Sequence, residues 1–142
     1  MILIDANLLL YAYNADAPEH PPAARWLQEL LSGSEIVGLS WPTIWAFLRV
    51  TTSSRLWPHP KSVAEAFGSI REWLDRPGVV VVSPGPRHTE ILEKLIRDHR
   101  AVGPLVSDAV LAALALENGA TLASTDQDFS RFKGLKWVNP LA

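Results

Sequence analysis

The sequence contains no cysteine, which limits the kinds of site that its 142 residues can build. Without thiols, the chain has neither a disulfide framework nor a thiolate metal site, so any bound metal must be held by oxygen or by histidine. We interpret the same absence as a sign of a reducing compartment. No two histidines have metal-ligand spacing on one predicted helix, and we interpret all four as surface or capping residues: His20, His59, His88 and His99.

The sequence also lacks a strong excess of charge of one sign and a long apolar run. Its 13 Lys and Arg against 15 Asp and Glu give a net charge of −2, which argues against a protein that coats nucleic acid non-specifically but leaves room for a local basic groove. The apolar runs are far shorter than a bilayer span, and no charged leader precedes the apolar N-terminus. We therefore expect no membrane anchor, no signal peptide and a cytoplasmic location.

Apolar runs and helical periodicity alternate along the chain, a pattern typical of α/β proteins. The hydrophobic fraction of 48% is enough for a real core, and we expect one domain over residues 1–142. Strands are predicted at 1–4, 35–39, 79–82, 121–124 and 136–138, of which 1–4 and 79–82 are expected to be buried. Helices are predicted at 7–13, 23–31, 40–52, 62–75, 86–100 and 106–118. This alternation predicts a three-layer α/β/α sandwich with a mainly parallel central sheet.

Four aspartates stand at the ends of these predicted elements. Asp5 follows the first strand, Asp108 stands where an alanine-rich helix is expected to begin, and the strand at 121–124 is followed by Asp126 and Asp128. Such ends meet at one edge of a parallel sheet, where the carboxylates would repel one another unless a cation lay between them. A hard divalent ion, Mg²⁺ or Mn²⁺, prefers oxygen ligands and phosphate. The predicted chemistry is phosphodiester hydrolysis by a metal-activated water.

Other catalytic signatures are absent from the sequence. No Gly-x-Ser-x-Gly elbow and no accompanying histidine support a serine nucleophile. No glycine-rich loop is present to hold a phosphate, and the segment 5–7 lacks the second aspartate of an aspartyl-nucleophile phosphatase. The aspartates therefore carry the functional prediction.

Three motifs, in this order along the chain, resemble those of the PIN-domain ribonucleases: Ile4-Asp5-Ala6-Asn7, Ser107-Asp108-Ala109-Val110-Leu111-Ala112-Ala113 and Ser124-Thr125-Asp126-Gln127-Asp128-Phe129. The resemblance is greatest to the VapC toxins of prokaryotic toxin-antitoxin modules, and it covers essentially the whole chain. It implies a PIN-like sandwich and an endoribonuclease that depends on Mg²⁺ or Mn²⁺ and arrests translation by cutting RNA. It also implies a homodimer that a VapB antitoxin holds inactive.

The resemblance also implies a role for each residue of the motifs. By motif matching, the metal ligands would be Asp5, Asp108 and Asp126. Asp128 would assist the reaction, through water or by orienting a base. The hydrogen-bond partners that hold the carboxylates would be Asn7, Ser107 and Thr125.

One position departs from the family pattern. The family usually carries a glutamate on the helix after the second strand, where this chain has Ala46, and no acid occurs between Glu35 and Glu65. We therefore expect one well-held ion, with a second ion bound weakly or only together with RNA. The sequence leaves an alternative open, in which a catalytically weakened PIN fold serves as a binding module for RNA or an antitoxin.

The same acid-free segment interleaves basic and aromatic residues, a combination that suits single-stranded RNA. We predict that Arg49 and Arg55 bind RNA phosphates. The aromatic residues Trp41, Trp45 and Phe47 are interpreted as mostly core. Alternatively, the apolar part of the segment receives an antitoxin helix, with an antitoxin arginine reaching into the acidic site. The sequence does not separate RNA from antitoxin here.

Overall fold

Five short strands form the central sheet of the computed structural model, which describes residues 1–142. They are β1 (Ile2–Ile4), β2 (Val37–Ser40), β3 (Val79–Val82), β4 (Thr121–Ala123) and β5 (Trp137–Val138). The strand order is β3-β2-β1-β4-β5, and every neighbouring pair is parallel. The predicted parallel sheet is thus confirmed. The order reverses between β1 and β4, and folds of this kind open a crevice at the carboxyl ends of the strands at such a point.

Six α-helices cover the sheet: α1 (Ala6–Tyr13), α2 (His20–Ser32), α3 (Trp41–Thr51), α4 (Val63–Leu74), α5 (His88–His99) and α6 (Pro104–Glu117). All six were predicted, but α2 and α6 begin two or three residues earlier than expected. Helix α2 begins at His20 because prolines, which need no hydrogen-bond acceptor for a backbone N–H, fill its first turn. Helix α6 begins at Pro104, so Asp108 lies one turn inside the helix and not at its start. None of the helices has the length and apolar character that crossing a bilayer requires.

An apolar core lies on each face of the sheet because side chains alternate in direction along a strand. Leu3 of β1 and Leu122 of β4 belong to the core that α5 and α6 cover. Their neighbours Ile4 and Ala123 belong to the opposite core, which α1, α2, α3 and α4 cover. This two-sided burial explains the continuous apolar run of β1 and completes the predicted three-layer sandwich.

The prediction that residues 79–82 form a fully buried strand is wrong. These residues form β3, but it lies at the edge of the sheet, where Val80 is 38% exposed and Val81 is 40% exposed. Only Val82 is buried there. Four consecutive valines favour a strand, but they do not say whether a second strand or a helix will cover each side.

Candidate metal centre

Asp5 lies at the carboxyl end of β1, where hydrogen bonds fix both oxygens of its side chain. Its Oδ1 accepts a bond of 2.7 Å from the backbone N–H of Ala6, which makes Asp5 the N-cap of α1. Its Oδ2 accepts a bond of 2.6 Å from the hydroxyl of Ser124. Because Ile4 pairs with Ala123 across the sheet, Asp5 and Ser124 follow adjacent strand ends. The local backbone and the strand register together therefore set the position of this carboxylate.

The fully buried hydroxyl of Ser124 links three residues of the predicted site. Besides donating to Asp5, its Oγ accepts a bond of 3.1 Å from Nδ2 of Asn7 and one of 3.0 Å from the backbone N–H of Asp126. Asn7 is therefore linked to Asp5 by hydrogen bonds that pass through Ser124. Ser124 had no predicted role from the sequence. The signal that identifies it is strand register, since the residue after β4 must lie beside the residue after β1.

Asp108, Asp126 and Asp128 bring one carboxylate oxygen each to within 4.8 Å of one another. Asp108 comes from α6, whereas the other two belong to the turn after β4. There Oδ1 of Asp126 accepts a bond of 2.8 Å from the backbone N–H of Asp128 and so caps a short 3₁₀ helix (Gln127–Arg131), which the sequence analysis did not predict. The exposed side chain of Asp128 also forms an ion pair of 3.3 Å with Arg131. The closest trio of carboxylates thus contains Asp128, whereas the trio of ligands predicted from the motifs contains Asp5.

The surroundings of Asp108 and Asp5 disfavour the ionised form of each side chain. Burial, followed by the negative charges of Asp126, Asp5 and Asp128, raises the pKa of Asp108 to about 6. Burial also raises the pKa of Asp5, against the opposing effect of its hydrogen bonds from Ser124 and Ala6. A bound cation would relieve the mutual repulsion of these groups.

Helix α3 faces Asp5 and Asp108 across an open cleft of about 500 Å³. Ala46 and Arg49 line this cleft, so the position where the family usually has glutamate does face the carboxylates. Arg55 does not line the cleft and lies on an exposed loop. The structure therefore brings one of the two predicted RNA-binding arginines to the acidic centre and leaves the other outside it.

Ser107 and Thr125, two of the predicted partners of the carboxylates, lie beside the centre without bonding to it. Ser107 lines the cleft, and Thr125 follows Ser124 in the turn after β4. The hydrogen bonds that the four carboxylates accept come from other groups, namely the backbone N–H groups of Ala6 and Asp128 and the side chains of Ser124 and Arg131. No histidine belongs to the trio of close carboxylates or lines the cleft.

The aromatic residues of α3 divide between the core and the surface. Phe47 is fully buried, as expected. The interpretation of Trp41 and Trp45 as core residues is wrong, because 41% of Trp41 and 60% of Trp45 are exposed. The two rings lie 6.4 Å apart, centroid to centroid, and Trp45 also lines the cleft.

Comparison with known proteins places this geometry in a family. A family model described as PIN domain matches residues 2–135. The chain is 42% identical to Ribonuclease VapC37 of Mycobacterium tuberculosis, over 100% of this chain and 99% of that protein. It is 40% identical to Ribonuclease VapC33 of the same species, over 99% of each. The chain belongs to the PIN-domain family, within its VapC branch.

Solved structures share the PIN fold with this chain at low sequence identity. The structure of VapBC-1 from nontypeable Haemophilus influenzae superposes with a TM-score of 0.70 and 22% identity, covering 100% of both chains. Mycobacterium tuberculosis VapC20, described as a Sarcin-Ricin loop cleaving toxin, gives a TM-score of 0.67 and 20% identity, covering 96% of this chain and 99% of that one. At such identities the superpositions show the fold alone.

The residues of this PIN-domain chain fit a hard divalent cation. The close donor set consists of carboxylate oxygens from two separate parts of the chain, with no thiol or imidazole among them. Mg²⁺ and Mn²⁺ prefer oxygen ligands. A cation bound between Asp108 and Asp126 would stabilise the ionised form of Asp108, which its surroundings otherwise disfavour.

Proposed function

We propose that this VapC chain is an endoribonuclease that depends on a divalent metal and hydrolyses phosphodiester bonds in RNA. The observation that carries the proposal is the convergence of Asp108, Asp126 and Asp128, together with the open cleft that Asp108 shares with Asp5. The full-length relatives are named ribonucleases, which supports RNA as the substrate.

In this proposal Asp5, Asp108 and Asp126 hold Mg²⁺ or Mn²⁺. When bound, the ion would make a water molecule more acidic and would stabilise negative charge on the phosphate. Asp128 is the most exposed of the four carboxylates and lies nearest to solvent, where it can orient a water or accept its proton. Its place in the closest trio also makes it a further ligand. Ser124 and Asn7 act by holding Asp5 and the turn that carries Asp126.

The two arginines predicted to bind RNA would act at different places. Arg49 lines the cleft and would bind a phosphate close to the bond that is cut. Arg55 lies outside the cleft and would contact the RNA farther along its backbone. Ser107, exposed at the cleft, and Thr125 would then contact the substrate or the ion's water shell and not the carboxylates themselves.

We further propose that the chain is the toxin of a toxin-antitoxin pair. The Haemophilus influenzae neighbour is a VapBC structure, so a VapB-type antitoxin is the expected partner, and occupation of the acidic cleft would inhibit cleavage. The homodimer and the cytoplasmic location stay predictions of the sequence analysis.

A second function is favoured by one observation. Ala46 faces the carboxylates at the position where a glutamate is usual, so the metal centre has one acid fewer than the family pattern. A centre that binds its ion weakly would leave the chain as a binding module for RNA or for the antitoxin.

The experiment that tests the proposed function is cleavage of a structured RNA by the purified chain. We expect cutting with Mn²⁺ or Mg²⁺, none with EDTA, and a loss of at least about 100-fold for Asp108→Asn. The matched control is Asp98→Asn, which removes an exposed carboxylate that pairs with Lys94 on α5 and should cleave normally. Cleavage that survives Asp108→Asn or EDTA would contradict the proposal. RNA binding without cleavage would favour the binding module.

A further inference from the structure

Helix α3 carries two tryptophans on its solvent side, where a surface helix usually has polar residues. Its buried side consists of Thr43, Ile44, Phe47 and Thr51. Trp41 and Trp45 lie one turn apart on the opposite side, with ring centroids 6.4 Å apart and planes inclined by 30°. Two adjacent exposed indole rings form an apolar surface that the fold itself does not use, which indicates a binding role.

The position of this tryptophan pair is fixed relative to the acidic centre. Ser40 caps α3 by accepting a bond of 3.3 Å from the backbone N–H of Thr43. The hydroxyl of Thr43 in turn donates a bond of 3.3 Å to the carbonyl of Ile4, the residue before Asp5. The first turn of α3 is thereby tied to the end of β1. Trp45 lines the same cleft as Asp5, and Trp41 stacks on Trp45, so the pair of rings begins at the cleft that holds this carboxylate.

The positive charge beside the tryptophan pair on α3 suits a nucleic acid. Arg49 follows Trp45 by one helical turn and also lines the cleft. No acidic residue occurs between Glu35 and Glu65, so nothing on α3 itself repels a phosphate. Aromatic rings beside a cation are the combination by which proteins bind single-stranded RNA, with bases on the rings and phosphates on the cation.

We propose that Trp41 and Trp45 form a stacking platform for unpaired bases of the RNA beside the phosphate that is cut, with Arg49 binding the adjacent phosphate. The inference rests on the proposed ribonuclease function and narrows its substrate class to RNA that is unpaired at the cleaved position. In a duplex the faces of the bases are covered by their neighbours, so a stacking platform selects loops and single strands. Every base has a stacking face, so the platform is tolerant of sequence.

The test is RNA binding by variants of the platform in the Asp108→Asn background, which keeps the RNA intact. The probe is a fluorescent unstructured RNA of about 12 nucleotides, free or annealed to its complement. We expect Trp41→Ala and Trp45→Ala each to raise the dissociation constant for the free strand by roughly 5- to 100-fold. Trp45→Phe should retain most of the affinity because it keeps an aromatic ring. The control is Phe67→Ala, since Phe67 is also 40% exposed but lies on α4 outside the cleft.

A parallel measurement in the unaltered background separates this inference from the proposed function. With Mn²⁺ present, Trp45→Ala should raise the KM for RNA by a larger factor than it lowers kcat. Metal-dependent cleavage with the same KM and the same dissociation constant in both alanine variants would overturn the platform alone. Absence of cleavage by the unaltered chain, with RNA binding still dependent on Trp45, would overturn the ribonuclease proposal instead. Unchanged RNA binding with a weakened dimer or antitoxin complex would make the tryptophans a protein interface and would also overturn the platform.

Discussion

Asp108 lies in surroundings that strongly disfavour its ionised form. Its partial burial, followed by the negative charges of three nearby carboxylates, raises its pKa from 3.8 to about 6. A structural acid in this position would destabilise the protein without benefit. A metal ligand in the same position has its charge compensated by the ion, which is why the raised pKa supports a metal centre.

This raised pKa predicts how the metal-free protein responds to pH and to neutralisation of Asp108. Between pH 3.8 and about 6 the folded state binds more protons at Asp108 than the unfolded state does, so the contribution of this residue to the free energy of unfolding falls as pH rises. Asp108→Asn should therefore stabilise the metal-free protein near neutral pH by about 1 kcal/mol, after allowance for solvent screening. The gain should vanish below about pH 4.

Differential scanning calorimetry with EDTA and with Mg²⁺ measures this effect. In EDTA the melting temperature of Asp108→Asn should exceed that of the unaltered chain, whereas added Mg²⁺ should stabilise the unaltered chain only. A variant that is less stable in EDTA at neutral pH, or that still gains stability from Mg²⁺, would show that Asp108 is a structural residue.

The four aspartates of the site could be predicted from the sequence, but which three of them lie closest together could not. Asp5, Asp108, Asp126 and Asp128 were found because each stands near the end of an element or in a motif. Which oxygens come closest depends on the 3₁₀ helix after β4, and a short turn leaves no periodic signal. Ser124 was missed because a lone serine after a strand is a common residue, and only the pairing of β4 with β1 gives it a role.

Helix α3 is the element that connects the core, the cleft and the proposed platform. Its periodicity predicted a helix at 40–52, and the structure has one at Trp41–Thr51. The periodicity did not predict which side of the helix packs against the core. Apolar and aromatic residues occupy both sides, so the sequence pattern alone does not distinguish the buried side from the exposed one. Trp41 and Trp45 were placed in the core for this reason. Edge strand β3 shows the same difficulty, because burial depends on neighbours that are remote in the sequence.

The cleft side of α3 leads to a prediction about Ala46. Since Ala46 lines the cleft with Asp5 and Asp108, Ala46→Glu should add a carboxylate to the centre and tighten Mg²⁺ binding several-fold. Titration calorimetry measures the change, and Ala46→Gln is the control, because it has the same size without the charge. An affinity for Mg²⁺ that is unchanged or weaker in Ala46→Glu would show that position 46 does not reach the ion.

The whole molecule places the site through its strand order. The chain leaves β1 for β2 and β3 on one side, then returns to lay β4 on the other side of β1. The ends of β1 and β4 therefore open a crevice that the helices on the two faces cannot close, and Asp5 and Asp126 follow these two strands. Alternating strands and helices predicted the sandwich. No local sequence pattern determines the strand order. A crevice could therefore be expected from the sequence, but the two strands that form it could not be identified without the structure.

Anomalous scattering of manganese, measured on crystals of the protein soaked with Mn²⁺, tests the proposed metal centre most directly. We expect a peak in the cleft, about 2 Å from carboxylate oxygens of both Asp108 and Asp126. No peak in the cleft, or an ion held without these two carboxylates, would contradict it.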